Sequence, residues 1–104
     1  MAKDINVKEL KEKIERGDDF LLIDVREPYE HQEFNVGGQL IPLGTLPTKI
    51  DALRPHAEDE IILYCRSGNR SGVAKELMER AGFKVVRNLL GGMLDWQEEY
   101  GVHS

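Results

Sequence analysis

The chain carries a single cysteine, Cys65, among its 104 residues. One thiol cannot close an intrachain disulfide, form a Cys-x-x-Cys redox pair or supply a multi-cysteine zinc site. Long apolar runs are lacking as well. The longest, residues 20–23 and 61–65, are far too short to cross a bilayer, so no membrane partner is expected. The opening Met1-Ala2-Lys3-Asp4 holds no apolar signal core, and a reduced cytoplasmic setting, where a lone thiol stays free, is the expectation. Basic residues are in deficit. Asp and Glu number 19 against 14 Lys and Arg, a formal net charge of -5, which argues against a nucleic-acid partner. Repeats, low-complexity tracts and linkers are absent, so one domain over residues 1–104 is expected, long enough to bury a core without staples. His31, His56 and His103 have no metal-ligand spacing. They are expected to be solvated, with no metal and no cofactor.

What is present is an alternation of strands and helices. Asn6 followed by Glu9 has the pattern of a capping box, with Val7, Leu10 and Ile14 on one helical face and Gly17 as the stop. Residues 20–25 and 61–64 are apolar almost throughout, as strands covered on both faces are. Between them, Pro28 opens a short helical turn to Glu33, residues 39–43 suit a short edge strand, and residues 47–53 a weak helix. A helix follows the Cys65 segment, with Val73, Leu77 and Ala81 as its expected inner stripe flanked by Ala74 and Met78. Residues 84–88 form a third strand, and Gly91-Gly92 starts a last helix with Met93, Trp96 and Tyr100 on one face. This order implies an α/β fold with a mainly parallel sheet and helices on both faces. Asp24 and Cys65 both fall at carboxyl ends of strands, on the rim where such sheets bind ligands.

The chemistry concentrates in Cys65-Arg66-Ser67-Gly68-Asn69-Arg70-Ser71. Here a cysteine leaves a buried strand and enters a short loop before a helix. Free N–H groups at the helix start, further loop N–H groups turned inward, and the charges of Arg66 and Arg70 all favour a thiolate. No Asp or Glu occurs from Ile61 to Lys75, although the chain is acidic overall. The same donors would hold an anionic substrate or a negative transition state. A cysteine at a strand end is ordinarily a small buried hydrophobe, but such a residue has no need of a glycine-bearing loop with two arginines.

These segments resemble the rhodanese-like (sulfurtransferase) family. Asp24-Val25-Arg26-Glu27-Pro28 with Tyr29-Glu30 is similar to its first signature, Cys65–Ser71 to its active-site loop, and Gly91-Gly92-Met93 with Trp96 to its closing motif. The resemblance implies a three-layer domain and a sulfurtransferase. In it Cys65 takes the sulfane sulfur of thiosulfate or a persulfide, carries it as a persulfide and yields it to cyanide or a thiol. Arg66 and Arg70 would bind the anionic donor, Gly68 would permit the turn, and Ser67, Asn69 and Ser71 would shape the loop and add N–H donors. Asp24 and Arg26 take supporting roles, with an Asp24–Arg26 salt bridge preferred to acid–base work. The alternative is a sulfur-relay or interaction module serving a protein acceptor. Phosphatases of related fold resemble a loop with five residues between Cys and Arg, whereas four separate Cys65 from Arg70, which fits a bound sulfur atom better than a phosphate. A family segment of the Gly-His-Ile-x-Gly-Ala type is replaced by Asn35-Val36-Gly37-Gly38-Gln39-Leu40, without the histidine.

Overall fold

The computed structural model describes residues 2–101. Helices α1 (Val7–Arg16), α2 (Pro28–Glu33), α3 (Leu46–Leu53), α4 (Asn69–Arg80) and α5 (Gly92–Tyr100) alternate with strands β1 (Leu21–Asp24), β2 (Gln39–Leu40), β3 (Glu60–Tyr64) and β4 (Val85–Asn88). The strands form one sheet in the order β2-β1-β3-β4, and every pairing in it is parallel. Beyond β4, Ile5 makes a parallel bridge to Leu89 and draws the N-terminal segment onto that edge. Among the described residues no helix is long and apolar enough to cross a membrane.

The near-continuous apolar runs are explained by burial on both faces of β1 and β3. Ile61, Leu63 and Cys65 point into one core with Ala74 and Met78 of α4 and Leu46 and Leu53 of α3. Ile62 and Tyr64 point into the other, with Val7 and Leu10 of α1 and Met93 and Trp96 of α5. Alternation with period two thus feeds two cores from one strand. Each fully buried aliphatic side chain contributes roughly 1.5–3 kcal/mol, which sets β3 rigidly beneath its last residue. The result is three layers, helix–sheet–helix.

Three local expectations are corrected. The Asn6 carboxamide does accept from the Glu9 N–H (2.8 Å), but the Glu9 carboxylate does not return to close the box; it pairs with Arg87 (2.8 Å). Ile14 lies at the edge of the α1 stripe and is 40% exposed. In α4 the inner face is Ser71, Ala74, Lys75 and Met78, while Val73 is 55% exposed. The helix is turned so that Ser71 meets Cys65, and Lys75 is accommodated inside because its ammonium reaches Asp4 (2.6 Å) and the Ala2 carbonyl (2.9 Å).

Candidate functional site

Cys65 is the first residue after β3, and its side chain is buried at the carboxyl rim of the sheet. The chain then doubles back. Gly68 has φ 102°, a conformation that suits glycine and not residues with a Cβ. The turn aims donors at sulfur: the Gly68 N–H at 3.1 Å, the Ser71 N–H at 3.4 Å and the Ser71 hydroxyl at 3.3 Å. Burial pushes the Cys65 thiol up. The Ser71 hydroxyl and the N–H groups of Ser71, Gly68 and Ser67 outweigh it, and the thiol is held below its ordinary value. The cradle is therefore built of amides and an alcohol rather than of arginine charge.

The hydroxyl of Ser71 is shared. It also lies 2.5 Å from Asn88 Oδ1, and Asn88 Nδ2 donates to the Gly68 carbonyl at 3.0 Å. Asn88, at the end of β4, thereby holds both ends of the turn. It is itself anchored, since its N–H donates to Asp4 (3.0 Å) and its carbonyl accepts from Ile5 (3.0 Å). Opposite, α5 abuts the cysteine backbone: Met93 N–H donates to the Cys65 carbonyl (3.0 Å) and Leu94 N–H to the Arg66 carbonyl (2.9 Å).

A Rhodanese-like domain model matches residues 6–99. The chain belongs to this family. It is 39% identical over 98 residues to YtwF of Bacillus subtilis, covering 93% of this chain and 92% of that one. To the thiosulfate sulfurtransferase PspE of Escherichia coli it is 38% identical over 74 residues, 70% of each chain. It spans half the length of another Bacillus subtilis relative, YrkF. A rhodanese-like domain protein from Staphylococcus aureus superposes with a TM-score of 0.82 at 27% identity, covering 99% of this chain and 97% of that one.

Within this rhodanese-like chain the arginines take distinct places. Arg66 is exposed and has no ion-pair partner among the described residues. Arg70 makes a bidentate pair with Glu30 of α2, at 2.7 and 2.9 Å. The stretch that lacks acids in sequence thus receives one in space. Arg26 is buried and bidentate to Asp24 (2.9 and 2.8 Å), with its Nη2 also donating to the Phe34 carbonyl. The preferred salt bridge is therefore present. His31, expected to be solvated, instead places Nδ1 2.8 Å from Asp24 Oδ2. His56 is half-buried and meets Asp59, and His103 lies outside the described residues. Ser67 is half-buried in the turn, and Asn69 is the exposed first residue of α4.

Ser71→Ala isolates the hydroxyl. A net hydrogen bond is worth roughly 0.5–1.5 kcal/mol, so Cys65 alkylation at neutral pH is expected to slow several-fold, its pH profile moving to higher pH. A profile coincident with wild type would assign the whole depression of the thiol to the amides.

Proposed function

We propose that this chain, a single domain over residues 1–104, is a sulfurtransferase working through a persulfide on Cys65. The observation that supports it is the convergence of three donors on Sγ within 3.1–3.4 Å. The thiolate attacks the outer sulfur of thiosulfate or of a persulfide donor. The donor's S–S bond breaks, a new Sγ–S bond forms, and sulfite or the donor thiolate leaves with the electron pair. Cyanide or an acceptor thiol then attacks that outer sulfur, and Sγ departs as thiolate, stabilised by the same donors. Arg66 is the free cation for an approaching anion, Gly68 sets the turn, Ser67, Asn69 and Ser71 continue the ring of N–H groups, and Asp24 and Arg26 hold the adjoining rim. Arg70 shapes the loop through Glu30. A reduced, cytoplasmic environment suits the chemistry, because it keeps the thiol available.

A protein acceptor is the second reading. Leu90 and Leu94 flank the start of α5 beside the loop and are 50% and 41% exposed, a surface suited to docking an apolar partner segment. Both readings pass through the same covalent state. Incubation with thiosulfate or an alkyl persulfide, followed by intact mass measurement, should give a gain of one sulfur at Cys65 that cyanide removes. An alkylatable Cys65 that gains no sulfur from any donor would refute both.

A further inference from the structure

A cleft of about 180 Å³ opens beside the loop, lined among others by Arg26, Glu30, Glu33, Phe34, Arg66 and Leu94. Its cations are largely answered. Arg26 is neutralised by buried Asp24 and Arg70 by Glu30, while Arg66 makes no ion pair but shares the cleft with exposed Glu33. The positive and negative side chains that line the cleft are equal in number, so this approach beside the loop carries no net formal charge. Glu30 holds its position firmly. One carboxylate oxygen accepts both from Arg70 and from the Glu27 N–H (3.0 Å), the capping box of α2. Arg70 draws its carboxyl down to about 2, so it remains ionised at neutral pH.

We propose that Glu30 is a specificity-determining residue: by occupying Arg70 it leaves the approach beside the loop uncharged and turns the site toward monoanionic persulfide donors over the thiosulfate dianion. This rests on the sulfur-transfer reading above. Thiosulfate brings two charges to a cleft in which the carboxylates of Glu30 and Glu33 match the cations in number. An ionised alkyl persulfide brings one charge and an apolar body that Phe34 and Leu94 can cover. The transfer itself is balanced without an oxidant. The Cys65 thiolate takes the outer sulfur of RSS⁻, the S–S bond breaks, and RS⁻ leaves with the bonding pair and is protonated by solvent.

Glu30→Gln tests this, since glutamine keeps an oxygen for the Glu27 N–H and removes the charge. One added positive charge several ångströms away, at near-water screening, should favour a monoanion about threefold and a dianion by about the square of that, roughly tenfold. The probes are iodoacetamide, iodoacetate, a monoanionic alkyl persulfide and thiosulfate. In wild type the iodoacetate-to-iodoacetamide rate ratio at Cys65 should match that of a cysteine in a neutral peptide and change little with salt. In Glu30→Gln the ratio should rise about threefold, and kcat/KM for thiosulfate should gain about threefold relative to that for the persulfide. A wild-type ratio already several-fold above the peptide and falling with salt would overturn the proposal, as would a ratio unmoved by the substitution. If the variant does not fold, the wild-type ratio and its salt dependence decide. Alkylation needs no sulfur transfer, so failure to form a persulfide would sink the parent reading while leaving this ratio to decide on Glu30.

Discussion

Cys65→Ser will transfer no measurable sulfur. Cys65 is the chain's one thiol, so no second thiol can take over its role within the molecule. Serine would occupy the same cradle with nearly the same shape, and its hydroxyl could still accept from Gly68 and Ser71. An alcohol is far less acidic than a thiol, and oxygen cannot carry the sulfane sulfur as a persulfide. Loss of a covalent nucleophile typically costs several orders of magnitude. Thiocyanate formation from thiosulfate and cyanide is therefore expected to fall by about a thousandfold or more, with the melting temperature little changed. Wild-type turnover in the variant would end the persulfide mechanism, whatever the fate of the fold.

Gly92→Ala is expected to damage both fold and site. Gly92 has φ 51°, and a Cβ there would lie 2.4 Å from the Cys65 carbonyl oxygen and 2.7 Å from the Arg66 carbonyl carbon and oxygen. These are backbone atoms, which no rotamer change can move aside. Either α5 or the loop must shift. That would stretch the bonds from Met93 and Leu94 N–H to the Cys65 and Arg66 carbonyls. Steric overlap in a left-handed conformation, together with weakened hydrogen bonds, costs roughly 2–4 kcal/mol. Gly44→Ala is the comparison, because a Cβ there meets nothing within 4 Å and its φ is not in the left-handed range. Urea unfolding should show a lower midpoint with unchanged slope for Gly92→Ala only, and Cys65 alkylation should lose its low-pH reactivity in that variant. Equal midpoints for the two variants would mean that the α5–loop contact yields without cost.

Much of this arrangement is legible in sequence because it is local. The runs at 20–25 and 61–64 became β1 and β3, Pro28 opens α2, and the turn around Gly68 delivers N–H groups to the cysteine just before it. The positions that escaped are those whose partners come from far along the chain. Glu30 meets Arg70 across 40 residues from a helix that buries none of its side chains, so hydrophobic period says nothing about which way it faces. His31 finds Asp24 from the same polar helix. Asn88 looks like an ordinary strand terminus until β4 is placed beside β3, where it spans Gly68 and Ser71. The inner face of α4 departs from its hydrophobic pattern for a related reason. Val73 is apolar but points outward, and Lys75 is charged but points inward, because Asp4, 71 residues away, waits there. The absence of acids between Ile61 and Lys75 is real in sequence, yet it is a one-dimensional property that folding does not preserve.

The groups that bond to Sγ are peptide amides and a hydroxyl. None of them gains or loses net charge across the range in which enzymes work. Glu30 is locked in one charge state at one end of that range, and Arg70 is held protonated at the other. The cradle therefore behaves as a constant background against which only the sulfur titrates. Its affinity for negative sulfur is written into two main-chain N–H groups and the one hydroxyl of Ser71, none of which buffer composition can tune.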